Sequence, residues 1–330
     1  MAIRRLLLLS LVVLVAGCGS GHSAVSPQSG QQRSIAGLFW VMMGAAWLGF
    51  GVVVFLIFLG WLRRNRAQLP FGGGEGVATG LVLLLGVAVP IVVLAILFVW
   101  ADIFVVRSTA APRPGTTALT IEVTGHQWFW EVRYRGTGAV TANEIHIPVG
   151  ARVRVVGKTD DVIHSFWVPA LNRKIDLIPG RRNTLLLQAD RPGVFRGQCS
   201  EYCGLQHAHM ALAVYAERPA RFRSWLQNMA RPSRRPSRSV QRRGEQVFLA
   251  QPCSSCHTVR GTKARGTIGP DLTHLRTRQT IAALTIPNDP SHLLAWIRDP
   301  QEFKPGTKMP ALGLTASQLD AVVAYLRSLR

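Results

Sequence analysis

The residues with the clearest chemical potential lie in one short run, Cys199-Ser200-Glu201-Tyr202-Cys203-Gly204-Leu205-Gln206-His207-Ala208-His209-Met210. Two thiols stand four residues apart, an imidazole follows four further on, and a thioether three beyond that. Thiolate and thioether donors select copper, and imidazole suits it as well. Two thiolates can also bridge two copper ions, so that one unpaired electron is shared and little geometry changes on reduction. Zinc is the alternative metal, but a thioether fits a structural zinc site poorly. A second imidazole must come from another strand. His164, in Asp161-Val162-Ile163-His164-Ser165-Phe166-Trp167, is the leading choice, because it precedes an apolar stretch that would keep the site dry. His126 and His146 are the other choices in this region. His209 is set apart, since alternation along a strand would aim it away from His207 and Met210.

A second cluster reads Cys253-Ser254-Ser255-Cys256-His257, the c-type haem attachment signature. The two thiols would form thioethers to the haem, and His257 is placed to bind the iron. A thioether as the opposite ligand raises the potential into the electron-transfer range. Met309, the only methionine after His257, lies in Lys304-Pro305-Gly306-Thr307-Lys308-Met309-Pro310, where the prolines imply a rigid loop. An ordinary disulfide in either cluster would have no need of the neighbouring His and Met residues.

Of five cysteines, this grouping leaves Cys18 alone. Arg4 and Arg5 precede an apolar run over 6–16, the layout of a secretory signal peptide. The run ends in Val15-Ala16-Gly17-Cys18, which resembles a bacterial lipobox. That resemblance implies removal of residues 1–17 and a lipid on Cys18. Two further apolar stretches, 35–62 and 77–106, exceed the ~20 residues needed to cross a bilayer, with Trp40, Trp47, Trp61 and Trp100 partly near their ends. Arg63, Arg64 and Arg66 against Glu75 assign the connection to the cytoplasmic side, and everything after about residue 107 to the outside. Pro90 falls inside the second span, where a kink is tolerable. The formal charge of +21 suits an anionic membrane surface or an acidic partner. The basic stretches lack interleaved aromatics or a recognition-helix pattern, which argues against nucleic acid.

The copper-type cluster needs strands to hold it. Val-, Ile-, Thr- and aromatic-rich segments at 118–124, 128–134, 144–148, 152–158 and 184–188 predict a small β-sandwich or barrel across 115–218. Residues 219–238 are expected to form an Arg/Pro/Ser-rich linker, and the stretch 231–243, with Arg231, Arg234, Arg235, Arg238, Arg242 and Arg243, reads as a solvated, extended tether. Residues 239–330 read as helices around the haem. Asp289 before Pro290 gives an N-cap for a helix to about Arg298. Thr315 and Gln318 form a capping box ahead of Leu319, Val322, Val323, Leu326 and Leu329 on one face. Gly244 and Phe248 on the first of these helices are expected to meet the last near Tyr325.

The residues of the first cluster carry a close resemblance to cytochrome c oxidase subunit II. The family pattern C-x-E-x-C-x-x-x-H-x-x-M matches Cys199, Glu201, Cys203, His207 and Met210 without a gap. Gly125-His126-Gln127-Trp128-Phe129-Trp130 resembles the family's aromatic segment, and Lys174-Ile175-Asp176-Leu177-Ile178-Pro179-Gly180-Arg181 the stretch after its first copper histidine. The resemblance implies that Cys199 and Cys203 bridge the two ions of a CuA centre, with His164 and His207 each binding one. It implies further that Met210 completes one copper and the Glu201 carbonyl the other. The Glu201 side chain would reach a magnesium ion at the boundary with subunit I, and Trp128 would be the electron-entry residue on a docking face.

The last ninety or so residues, from 238, are similar to small class I cytochromes c, with Ile268-Gly269-Pro270-Asp271-Leu272 matching the loop in which the proline flanks the iron-binding histidine. Together these likenesses imply a multidomain membrane protein: residues 18–110 forming an N-terminal segment and two-helix transmembrane hairpin, then an all-β cupredoxin-like barrel and an all-α cytochrome c domain. The implied activity is that of the electron-entry subunit of a proton-translocating cytochrome c oxidase, passing electrons from haem c to CuA and on to haem a of subunit I, where oxygen is reduced. No catalytic haem–copper site is encoded here. Implied partners are subunit I, the other oxidase subunits and an external donor such as a cytochrome c or bc-type complex, at a bacterial cell membrane with the soluble domains on the periplasmic side. A CuA-containing nitric oxide reductase and a copper-delivery lipoprotein are the alternatives. One departure stands out. The family often carries a carboxylate early in the second span, at a proton-path mouth, whereas 77–106 holds only Asp102, near its outer end, and Glu75 lies before it.

Overall fold

The computed structural model describes residues 22–63 and 75–330. The leader, Cys18, Arg64 and Arg66 lie outside the described residues. Two compact units emerge: one of residues 30–110, the other of the preceding segment with 111–330.

The smaller unit holds helix α1 (Gly30–Arg63) and helix α2 (Glu75–Val106), both long and apolar enough to cross a membrane. Beyond the polar first turns, most of their side chains are apolar and stand uncovered, as at Leu48 and Phe98, 71% and 75% exposed. A soluble helix would hide one such stripe, so a lipid surround is the consistent environment. Within α2, a π turn over Leu84–Ala88 directly precedes Pro90. The widened turn accommodates a residue that has no N–H to donate.

The larger unit begins with two five-stranded sheets. One has the order β3-β2-β1-β5-β8, from β1 (Leu119–His126), β2 (Phe129–Tyr134), β3 (Val140–Ala142), β5 (Val153–Thr159) and β8 (Asn183–Leu187). The other has the order β4-β10-β9-β6-β7, from β4 (Glu144–Pro148), β6 (His164–Trp167), β7 (Ile175–Leu177), β9 (Gly193–Cys199) and β10 (Ala211–Glu217). The pairs β1–β5 and β4–β10 are parallel; the others are antiparallel. Alternating apolar residues fill the space between the sheets, with Trp130 fully buried at the centre and edge-on to Phe166 at 5.8 Å.

The expected linker is not one. Residues Pro219–Met229 form helix α3, whose Phe222 and Met229 are buried in the sandwich core. Trp225, on the same face, lies 5.2 Å from Tyr134 and 4.0 Å from His146. Phe222, Trp225 and Met229 follow helical spacing, and burying that stripe outweighs the arginines that give the segment its polar look. The next residues are pinned as well. Ser233 donates through N and Oγ to the Arg260 carbonyl at 3.0 Å, and the His274 ring bonds the Arg231 carbonyl at 2.9 Å. A loose tether would leave these backbone groups to water.

Beyond it lie α4 (Ser239–Ala250), a single turn at Cys253–Cys256, α5 (Pro290–Arg298) and α6 (Ala316–Leu326). The caps are as read: Asp289 accepts from His292 N at 2.9 Å, and Thr315 with Gln318 closes a capping box. Gly244 lets α4 and α6 touch, since a Cβ there would sit 1.9 Å from the Ala321 carbonyl oxygen. Phe248 packs on Tyr325 with ring centres 5.7 Å apart.

This helical part rests directly on the β-sandwich through polar contacts. Arg260 donates to the carbonyls of Met229 at 2.6 Å and Gly138 at 2.9 Å. In return Glu144, on β4, accepts from the backbone N–H groups of Gln279 at 2.8 Å and Thr280 at 3.3 Å. Burial pushes the Glu144 carboxyl up to about 7, against the pull of the Gln279 N–H, the Arg278 charge and the Thr280 N–H. Between the ordinary value of 4.5 and about 7, the folded chain keeps a proton that the unfolded chain has lost. Stability therefore falls as pH rises through that window, by about 3 kcal/mol at ~1.4 kcal/mol per pH unit, and levels off above it. Glu144→Gln keeps an acceptor for both N–H groups and is expected to flatten the slope of denaturant midpoint against pH. An unchanged slope would place the titrating group elsewhere.

Candidate metal centres

Strand pairing assembles the first centre. β6 runs antiparallel to β9 with Phe166 opposite Cys199, which brings His164, the first residue of β6, beside the end of β9. The loop from Ser200 then returns to β10, and Cys199 N–H closes it on the Met210 carbonyl at 2.9 Å. Every donor expected of that loop is thereby gathered in a few ångströms. The Cys199 and Cys203 sulfurs are 3.8 Å apart, far beyond the ~2.05 Å of a disulfide, so both are free thiols. His164 Nδ1 lies 3.8 Å from Cys199 Sγ, and His207 Nδ1 lies 3.7 Å from Cys203 Sγ. The Met210 sulfur is 3.8 Å from Cys203 Sγ, and the Glu201 carbonyl is 3.2 Å from Cys199 Sγ.

Both thiols, His164 and Met210 are buried. Cys199 is held well below the ordinary thiol range, first by its contact with the Cys203 sulfur and then by His164 and backbone groups, against burial; Cys203 is correspondingly pushed up. Asp161 orients the imidazole, its carboxylate 2.8 Å from His164 Nε2. Burial works against the His164 cation, but Asp161 and Cys199 outweigh it and raise the imidazole's pKa; Asp161 itself is drawn down to about 2, burial notwithstanding, by His164 and the N–H groups of Gln127 and Val162. Gly125 permits the arrangement, because a Cβ there would come 2.8 Å from the His164 ring. A compact set of two thiols, two imidazoles and a thioether, buried except for the half-buried His207, fits copper.

The other histidines stand apart from this set. His126 stacks on Phe129 at 4.6 Å, and His146 bonds Glu217 at 3.3 Å between Tyr215 and Trp225. His209 is exposed and bonds Gln206 at 2.8 Å, aimed away by the 3-10 turn His207–His209 rather than by the strand alternation expected of it.

The second centre is an apolar cavity in the helical part. Cys253, Cys256, His257 and Met309 line it together with Ile268, Leu272, Trp296 and Ile297. His257 Nδ1 faces the Pro270 carbonyl at 2.9 Å, which leaves Nε2 for a metal ion. Burial lowers its pKa, against that hydrogen bond, and so favours the neutral ring that ligation needs. Gly269 plays the part of Gly125, since a Cβ would come 2.5 Å from the His257 ring. Two thiols, an oriented imidazole and a thioether around one apolar slot fit a covalently held haem.

Trp128 joins the two centres. It lines the haem-type cavity, is 9% exposed, and its indole N–H donates to the Cys203 carbonyl at 2.9 Å. The face expected to receive an external partner is thus occupied by the chain's own C-terminal part. Asp161, Gln127, Gln206 and Lys304 are residues that the sequence reading gave no role. Gln127 donates to the same Cys203 carbonyl at 2.8 Å and through its backbone to Asp161 at 2.6 Å. Only Asp161 carried a signal, its place three residues before a ligand histidine.

Residues 139–217 match the family described as "Cytochrome C oxidase subunit II, periplasmic domain", and residues 241–330 match "Cytochrome c". A relative named cytochrome c oxidase subunit 2 in Alkalihalophilus pseudofirmus is 39% identical over 251 residues, covering 73% of this chain and 71% of that protein. The protein of the same name in Bacillus subtilis is 27% identical across 99% of this chain and 98% of its own. Among solved structures, the periplasmic domain of subunit II of cytochrome oxidase from Bradyrhizobium japonicum is 36% identical, covers 36% of this chain and 96% of that one, and has a TM-score of 0.34.

Because Asp161 fixes the His164 ring, Asp161→Ala is expected to lower copper affinity about 10–100-fold, as loss of such an outer partner does. Competition against a copper chelator measures it. Unchanged affinity would mean that the Asp161 bond does not orient the ligand.

Proposed function

The chain belongs to the cytochrome c oxidase subunit 2 family, and from that premise we infer that it takes electrons in at a covalent haem c and delivers them through a CuA centre toward haem a of subunit I. It is a membrane-anchored subunit of a haem–copper terminal oxidase whose oxygen chemistry belongs to another chain. Bound to this subunit, the haem and the copper pair supply the one-electron chemistry, while the protein positions and tunes them.

The observation that carries the reading is Trp128, a single side chain that lines the haem-type cavity and bonds the carbonyl of Cys203. Cys253 and Cys256 would hold the haem by thioethers, with His257 and Met309 on the iron. Cys199, Cys203, His164, His207, Met210 and the Glu201 carbonyl would hold the copper pair. Burial of Cys199, Cys203, His164 and Met210 limits water at the copper donors, and Asp161 and the Pro270 carbonyl orient the two rings.

Glu201 also has an exposed side chain. One carboxylate is too few for a magnesium ion, which takes octahedral oxygen ligands, so the remainder would come from subunit I and water. The loop arginines favour a cytoplasmic connection between the spans, which directs the soluble unit to the periplasmic side. Lipid on Cys18 would add a second anchor. The high positive charge suits an acidic external donor. The stretch 77–106 holds one acid, Asp102, paired to Arg107 at 3.6 Å near its outer end, which counts against a proton-entry role for this chain.

Cys203→Ser is expected to abolish the mixed-valence copper signal and oxygen uptake by the assembled complex, and to leave the low-spin c-haem band intact. Persistence of the copper signal would contradict the ligand assignment.

A further inference from the structure

The loop that carries Met309 does more than present a sulfur to the haem cavity. Residues 304–308 touch the copper-type centre on both of its sides. Lys304, only 2% exposed, drives its ammonium into the β-sandwich, donating to the carbonyls of Trp128 at 3.0 Å and His209 at 2.9 Å, and to Ala282 at 3.3 Å on its own side. An ammonium has three donors, and all three are used here on carbonyls. Gln206, itself buried, donates from the copper-ligand loop to the Pro305 carbonyl at 2.7 Å and accepts from His209 at 2.8 Å. Gly306 lies against Leu205 so closely that a Cβ would come within 2.8 Å of it. Across the centre, Lys308 Nζ is 4.0 Å from the Asp161 carboxylate that holds His164.

We propose that the Met309 loop is a clamp on the copper-ligand loop, with Lys304 and Gln206 as its positioning residues, so that the iron-ligand and copper-ligand segments order and open as one body. The proposal rests on the haem-to-copper reading above. An ammonium buried among carbonyls is costly unless all its donors are satisfied. It is satisfied only with the two loops in register. Slippage of either loop would strand Lys304 and orphan the Trp128 and His209 carbonyls, one beside the bridging tryptophan and the other next to Met210. The docked arrangement is therefore strongly preferred over a swinging one, and Trp128 stays in the cavity wall.

The test uses the full chain in detergent, loaded with haem and copper. In the wild type, hydrogen exchange of the amides of His207, His209 and Met210, bonded within their turn, is expected to show the same denaturant dependence as that of Thr307, bonded to the Lys304 carbonyl. Lys304→Met and, from the other side, Gln206→Ala are expected to speed exchange in both loops about tenfold, the scale of losing one such buried bond. Photo-triggered transfer from haem to copper should slow in parallel and become dependent on solvent viscosity. Loops that exchange with independent denaturant dependence in the wild type overturn the clamp, even if neither variant folds. So does a loaded variant with wild-type exchange and transfer. A wild-type chain without the mixed-valence copper signal would instead defeat the underlying reading.

Discussion

Everything in the soluble unit is arranged around two thiols that must sit close together, buried, without bonding to each other. Sulfur atoms 3.8 Å apart inside a dry pocket are an unstable proposition on their own, open to oxidation or to collapse. The fold meets that constraint with backbone rather than with side chains. Cys199 ends a central strand, Met210 precedes the next, and one N–H bond between them shuts the ligand loop. His164 comes from the neighbouring strand, its ring pressed on Gly125 and held by Asp161.

The haem-type cavity repeats that logic with different elements. An imidazole again packs on a glycine and is again oriented through its far nitrogen, here by the Pro270 carbonyl. The two centres then share a wall. Trp128 belongs to the β-sandwich by chain position and to the haem cavity by contact. Polar groups cross the boundary in both directions, the buried Glu144 from one side and the half-buried Arg260 and buried Lys304 from the other. Such groups are poor sources of net stability but demanding about geometry, because each is expensive to leave unpaired. They make the relative placement of the two domains specific.

Much of this was legible before any coordinates. Donor types and spacings pointed to copper and haem, and the structure brings Cys199, Cys203, His207, Met210 and His164 together as that pattern requires. The capped helices and the meeting of Gly244 with α6 followed from local chemistry that acts over a few residues. What stayed hidden was long-range. Residues 219–229 look like the start of a charged linker because Arg221 and Arg223 run on into the arginine-rich stretch from Arg231, and only the sandwich surface supplies the partner for the stripe Phe222, Trp225 and Met229. Lys304 looks like any surface lysine until the fold places three carbonyls around it. Strands such as β9 and β10, rich in glycine and alanine, have weak intrinsic preference and form because their neighbours pair with them.

The central claim is that the buried thiol pair and the haem signature load different metals on one polypeptide. Metal analysis of the purified full chain, read beside its electron paramagnetic resonance spectrum, tests this most directly. Copper is expected at twice the haem content, with one unpaired electron delocalised over both copper nuclei. Zinc in place of copper, or an electron confined to a single copper nucleus, would contradict it.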